Sequence, residues 1–274
     1  MKKLLSRYDL LLVILLFLLA IPAEQYESFA FLEEQTISFR HLLRQSKGKP
    51  EQTQFSKDAI VLVNTDEKFF TAYGSFPLRR TDIGKIAENL RALGARVVAV
   101  DLLMDFPSSY GEDPPTAESF KKAGNVMVVS QAEFRKNQFI KLNTATPVLA
   151  DVTQNGYTNI GSQSALVTSL SRLKIYPTIN QQVNAWPFAV KALAMYLGVE
   201  PQLENNILKL GEKIAVPLDQ FGNFYIDFPA LPSGTKFLSQ SAGLSALDFI
   251  DIDKLDEDER LELSVWVKDK LVLL

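Results

Sequence analysis

Three short runs of apolar, mostly β-branched residues stand out along the chain: Ala59–Val63, Val97–Val100 and Val126–Val129. Each is too short for a helix and too continuous for a strand with one wet face, so each predicts a strand buried on both sides of a sheet. Between the first two, Ile83, Ile86, Ala87, Leu90 and Leu93 recur at helical spacing, with Thr81 placed to cap the start and Gly94 to stop the helix. Thr116–Ala123, closed by Gly124, predicts a second and shorter helix. The order is βαβαβ, and connections of this length imply parallel strands with right-handed crossovers. Further on, Trp186–Leu197 reads as a helix with Pro187 in its first turn and Gly198 as terminator. Ile207–Leu210, Lys213–Pro217 and Phe224–Phe228 read as consecutive hairpins forming a meander. Ser245–Ile250 and Asp256–Val267 read as helices, and Lys270–Leu274 as one more buried strand. An exposed strand edge normally continues to a turn that protects it, so this last run predicts a C-terminally truncated domain.

The amino-terminal pattern differs. Leu10–Ala23 carries no charge, with Lys2, Lys3 and Arg7 before it and Glu24, Glu27, Glu33 and Glu34 after it. That asymmetry keeps the amino terminus in the cytoplasm and sends the following chain across the membrane. Fourteen residues suit the core of a cleaved signal peptide, whereas about 20 are needed to span a bilayer. Counting from Leu4 reaches that length if Arg7 and Asp9 snorkel to the interface. Cleavage therefore stays open, and an uncleaved anchor is the expected fate. The chain divides into a transmembrane or signal-anchor segment, residues 1–23, a membrane-proximal helix and linker, residues 24–55, and an extracytoplasmic domain, residues 56–274. The fold class expected is α/β: a mostly parallel sheet with flanking helices and a hairpin or meander portion, preceded by an N-terminal membrane helix.

Composition removes several chemistries. The 274 residues contain no cysteine and one histidine, His41, and carry a formal net charge of −3. Thiol nucleophiles, disulfides and cysteine-rich zinc sites are excluded, most histidine-dependent catalysis is disfavoured, and there is no basic field to hold nucleic acid. Asp251, Asp253 and Glu262 fall at calcium-loop spacing, but Leu255 and Asp256 occupy positions that a calcium loop fills with a ligand and a glycine, so this stretch reads as an acidic helix start. Ser233-Gly-Thr-Lys236 reads as a loop, and no dinucleotide, Walker or nucleophile-elbow motif is present. No cofactor or metal is expected.

An ordered series of landmarks resembles the CHASE2 family, the extracytoplasmic sensory domain of bacterial receptors. Ile60-Val-Leu-Val-Asn-Thr-Asp66, Phe76-Pro-Leu-Arg-Arg80, Gly94-Ala-Arg-Val-Val-Ala-Val-Asp101 and Lys122-Ala-Gly-Asn-Val-Met-Val-Val129 are similar to its early elements. Tyr157-Thr-Asn-Ile160, Val216-Pro-Leu-Asp219 with Gly222 and Ile226-Asp-Phe228, and Ser245-Ala-Leu-Asp-Phe-Ile250 followed by Lys270–Leu274 are similar to its later ones. Phe76-Pro-Leu-Arg departs from the more usual Trp-Pro-Trp-Pro-Arg turn. The resemblance spans roughly residues 33–274 and implies an input domain coupled to an adenylate cyclase or histidine kinase.

Candidate chemistry concentrates at the carboxyl ends of the parallel strands, where open α/β sheets place ligands. Asp66 and Asp101 close the first two strands, and Arg80 precedes a helix whose free N–H groups attract anions. These three form the candidate ligand site. The structural alternative is that each Asp caps the next turn and the Arg pairs with a carboxylate. Phe69, Phe70, Tyr73 and Phe76 read as core aromatics rather than pocket walls. No catalytic residue is assigned. The expected role is a membrane-anchored periplasmic input domain answering a small-molecule or environmental ligand, with homodimer formation open to it. The alternatives are a free periplasmic binding protein and a carboxylate-dependent hydrolase.

Overall fold

The structure, a computed structural model, describes residues 7–25, 59–74, 78–135, 138–160, 172–177, 185–220, 222–227 and 243–274, with short pieces at 32, 35–40 and 43. His41, Phe76 and Ser233–Lys236 lie outside the described residues, as does most of the 24–55 segment. Contacts gather the chain into two compact units: Met1–Thr53 with Ser162–Leu173 and Asp227–Gly234, and Gln54–Gly161 with Lys174–Ile226 and Thr235–Leu274.

In the first unit the main described element is helix α1 (Arg7–Gln25). Every large side chain from Leu10 to Ile21 is exposed, between 46% and 67%. The expected membrane helix is not found at full length: among the described residues no helix is long and apolar enough to cross a membrane.

The second unit is built on a mostly parallel sheet. Strands β1 (Ile60–Asn64), β2 (Val97–Leu103) and β3 (Val126–Arg135) arise from the three β-branched runs. Helices α2 (Glu67–Tyr73) and α3 (Arg80–Ala92) connect β1 to β2, and α4 (Asp113–Ala123) connects β2 to β3. Helix α3 begins at Arg80 with Arg79 as N-cap, so Thr81 is not the cap. Strand β3 is long enough to change partner along its length. Its first half pairs in parallel with β2 and with β5 (Gln154–Tyr157), and its second half forms an antiparallel ribbon with β4 (Gln138–Asn143). Helix α5 (Pro147–Ala150) lies between β4 and β5 in sequence.

The largest departure from the expected order concerns the last strand. Later in the chain come β11 (Leu244–Ser245), α7 (Leu247–Ile250), a 3₁₀ turn at Ile252–Lys254, α8 (Glu257–Val267) and β12 (Leu271–Leu273). Strand β12 inserts between β1 and β2, so the sheet order is β11-β1-β12-β2-β3-β4, with β5 also on β3. Strands β1 and β2 are therefore not neighbours. Leu271 pairs with Ile60 on one side and with Val97 on the other, both in parallel. A run of apolar residues shows that a strand is buried but cannot say which of several parallel partners it joins.

Alternation along each strand divides the core between two faces. Val61, Val63, Val98, Val100, Val126, Val128 and Val272 meet Ile86, Leu90, Phe120 and Phe249 on one face. Val97, Ala99, Met127 and Leu271 meet Ala192, with Phe188 packed alongside, from helix α6 (Phe188–Leu197) on the other. Full burial of each such side chain contributes about 1.5–3 kcal/mol, which makes these strands the rigid part of the unit. Gly84 lets α3 and α4 approach closely, since a Cβ there would lie 3.1 Å from the Ser119 Cβ.

The meander is only partly as expected. Strands β7 (Pro201–Glu204), β8 (Ile207–Leu210) and β9 (Ile214–Pro217) form a three-stranded antiparallel sheet. The strand at Phe224–Asp227 (β10) pairs instead with β6 (Arg172–Ile175). Asp219 explains the break: its carboxylate accepts the Asn223 N–H at 2.8 Å, and its carbonyl accepts the Gly222 N–H and the Asn206 side-chain amide, each at 3.0 Å, a turn tied back to the β7–β8 connection that redirects the chain.

Candidate functional site at the carboxyl edge of the sheet

Strand β1 delivers Asp66 to the start of α2, where the first helical N–H groups lack intrahelical partners. Its Oδ1 accepts the Phe69 N–H at 2.8 Å and the Ser245 hydroxyl at 2.8 Å. Partial burial raises the Asp66 carboxyl, and those two hydrogen bonds outweigh it, so the group lies below the ordinary aspartate value. Asp66 thus caps α2 and ties β1 to the end of β11. The aromatics that follow are core residues: Phe69 is fully buried and stacks on Tyr73 with ring centroids 5.0 Å apart, while Phe70 stays partly exposed.

Arg80 opens α3 but turns away from both candidate aspartates. It is 8% exposed, and its guanidinium meets Asp113 Oδ1 at 2.6 Å and lies 5.0 Å over the Phe106 ring. The second carboxylate oxygen of Asp113 accepts the Thr146 hydroxyl at 3.0 Å and the Ser108 N–H at 3.4 Å. Glu112 completes the cluster by accepting the Arg80 N–H and the Ser108 hydroxyl, each at 3.2 Å. A charge removed from water is tolerated when its hydrogen-bonding positions are met in this way. The cluster clamps the 104–113 loop, which follows β2, against the first turn of α3.

Asp101 belongs to β2 itself. Its N–H donates to the Leu274 carbonyl at 2.7 Å, and its side chain is exposed. With β12 between β1 and β2, the two aspartate-bearing strands stand about 10 Å apart. Among the described residues no hydrogen bond or ion pair joins Asp66, Arg80 and Asp101. The residues that Asp66 and Arg80 do bind, Ser245, Asp113 and Glu112, with Thr146 behind them, were not singled out by sequence reasoning. Asp113 carried a usable signal, an acidic residue before two prolines at a helix start, which marks the first turn without naming the partner.

The acidic stretch beyond α7 is committed to structure. Asp251 binds Lys254 at 2.6 Å and Lys85 at 2.9 Å, and these contacts hold its carboxyl down at about 2. Asp256 caps α8 in a reciprocal arrangement with Glu259. Among the described residues no group of acidic or histidine side chains could hold a metal ion.

A mixed α/β unit whose edge carboxylates serve as caps and clamps defines a folded module with its polar groups spent on architecture. The model of the CHASE2 domain matches residues 10–274, and the chain belongs to that family. CHASE2 domains are extracytoplasmic sensory domains of signal-transduction receptors, and the chain is a sensory domain of that family. No curated protein and no solved structure matches it.

Proposed function

We propose that the chain is the membrane-anchored input domain of a bacterial receptor, on the periplasmic side, of the type coupled to adenylate cyclases or histidine kinases. The observation that carries the anchor is α1. Its described side chains are apolar and exposed all round, a pattern that leaves no face for a water-soluble core. Its uncharged part, Leu10–Ala23, extends about 21 Å, short of a hydrocarbon core of about 30 Å, so the anchor reading requires Arg7 and Asp9 to snorkel to the interface. Basic residues before it and acidic residues after it support the outward orientation of the sheet unit. Carbonate extraction of membranes followed by mass spectrometry of the amino terminus tests this. An intact terminus in the extracted membrane is expected; a mature terminus near Glu24 in the soluble fraction overturns the anchor and favours an exported binding protein.

The ligand edge belongs to the same proposal. Asp101, exposed within the carboxyl-terminal half of β2, is the direct contact for a small polar ligand. Asp66 and Arg80 act behind it, fixing the starts of α2 and α3. A sensor responds only through a difference in ligand affinity between two states. A thermal-shift screen of small polar metabolites should therefore give hits that Asp101→Ala abolishes. Hits that persist unchanged in Asp101→Ala overturn this site.

A further inference from the structure

Exposed ion pairs are spread unevenly over the sheet unit. Among the described residues most are local: Lys122 with Glu118 inside α4, Lys141 with Glu133 across the β3–β4 ribbon, Lys209 with Glu204 in the β7–β8 hairpin, Lys191 with Glu200 just past α6, and Lys254 with Asp251. Two join parts of the chain far apart, and both seat the 244–255 segment. Lys68 of α2 meets Asp248 at 2.7 Å across 180 positions, and Lys85 of α3 meets Asp251 at 2.9 Å across 166. These four side chains are between 36% and 60% exposed, so solvent ions reach them. The surrounding charges add to the same attraction. The Lys68 ammonium is raised above its ordinary value by the Asp248 bond first, with Asp66 behind it. That of Lys85 is raised by the Asp251 bond first, with Asp253 and Asp82 behind it. Beneath the segment, buried Ala246, Phe249 and Ile252 and the Asn89 bond to the Phe249 carbonyl are sheltered from solvent ions.

We infer that the sheet unit responds to ionic strength, and that the 244–255 segment is the element that moves. Salt shortens the reach of an exposed charge from about 30 Å at 0.01 M to about 3 Å at 1 M, and it screens buried pairs much less. Rising salt therefore weakens the two long-range ties and leaves the Arg80–Asp113 pair, with both side chains 9% exposed, in place. The buried contacts keep the segment folded against the unit, so salt changes how often it leaves its seat. Strand β11 carries that change to the carboxyl edge of the sheet. The Ala246 N–H donates to the Asn64 carbonyl at 2.9 Å, and the Ser245 hydroxyl donates to Asp66 Oδ1 at 2.8 Å. An unseated segment thus frees the end of β1 and removes one hydrogen bond from the Asp66 cap of α2. The stimulus is a property of the solution, so the response is independent of any ligand at Asp101 and of the anchor.

Hydrogen exchange of the full-length chain in an uncharged detergent tests this, in sodium chloride from about 0.01 M to about 1 M at constant pH. Protection of residues 244–255, the Ala246 amide above all, should fall about fivefold across that range, while the α4 amides change less than about twofold. A variant carrying Lys68→Met, Asp248→Asn, Lys85→Met and Asp251→Asn is neutral at both ties and should lose the dependence. Potassium chloride should act as sodium chloride does, and sucrose at equal osmolality should not lower protection. Salt-independent exchange of the segment in the wild type overturns the proposal, and so does an equal loss in α4. A dependence that survives neutralisation, that only one of the two salts produces, or that sucrose reproduces overturns it as well.

Discussion

The two flanks of helix α3 are held by unlike means. Toward α4 the contact is dry and tight: Arg80 and Asp113 are both buried, Thr146 and Glu112 complete their hydrogen bonds, and Gly84 brings the helices close. Toward the segment of α7 and the 3₁₀ turn, buried Ala246, Phe249 and Ile252 supply the packing, and the polar ties added to it are mostly exposed. Lys85 reaches Asp251 at 2.9 Å with both side chains about two-fifths exposed, and Asn89 donates to the Phe249 carbonyl at 2.7 Å. Helix α2 adds Lys68 to Asp248 at 2.7 Å, also exposed. A buried and satisfied pair fixes a geometry, whereas exposed pairs exchange readily with water and salt. The α4 flank is therefore fixed by a buried polar cluster as well as by packing, whereas on the 244–255 flank the exposed ion pairs are the contacts able to exchange at low cost. For a sensor that asymmetry matters, because a signal needs one element that moves against another that does not.

The largest expected break comes from Arg80→Ala. It strands the Asp113 carboxylate in a buried site and should lower stability by about 3–5 kcal/mol, read by urea denaturation. If the loss is under about 1 kcal/mol, the α4 flank is not fixed by that cluster. Gly84→Leu tests the same flank by overpacking and should remove about 2 kcal/mol in that assay. On the other flank, Asn89→Ala leaves a buried carbonyl without its donor and should remove about 1–2 kcal/mol. Hydrogen exchange in that variant should rise in residues 244–255 while the amides of α4 stay protected. Lys85→Met should change stability by less than about 1 kcal/mol and only at low ionic strength, a result that a salt series of melting curves would show.

The subtlest difference is with pH. Asp251 is held at about 2 by Lys254 and Lys85, below its ordinary value of 3.8. A carboxyl depressed by folding stabilises the folded state fully above its unfolded value. That contribution is lost as pH falls through the folded one. The stability gap between wild type and Asp251→Asn should thus be constant above about pH 5 and close between about pH 4 and pH 2. A gap that persists at pH 2 would mean that Asp251 acts through packing rather than charge.

Much of the sheet was readable from local pattern. Val97–Val100 and Val126–Val129 are β-branched and apolar on both faces, and they form the buried strands such runs predict. Asp256 followed by Glu259 signals its own capping arrangement because the geometry lies within four residues. What local pattern could not carry was partner choice. Nothing near Leu271 indicates that it will separate β1 from β2, and nothing near Arg80 indicates that its carboxylate lies at Asp113 rather than at Asp66 or Asp101. Asp66 and Asp101 follow or lie in strands at the carboxyl side of the sheet, but Arg80 pairs with Asp113 and joins neither of them. The strand at Phe224 was misjoined because the turn at Asp219 is tied to Asn206, a detail visible only once hydrogen bonds are placed.

The insertion of β12 has a consequence for biogenesis. Ile60 and Val97 emerge early from the ribosome and the export channel, but the strand that bridges them lies almost the whole length of the domain later. Until Leu271–Leu273 arrives, the facing edges of β1 and β2 offer unpaired N–H and carbonyl groups, and the nascent domain must wait with its centre unstitched. Completion of the sheet is thus tied to the arrival of β12. Chains arrested short of β12 are expected to be substrates for chaperones and proteases rather than partially working sensors.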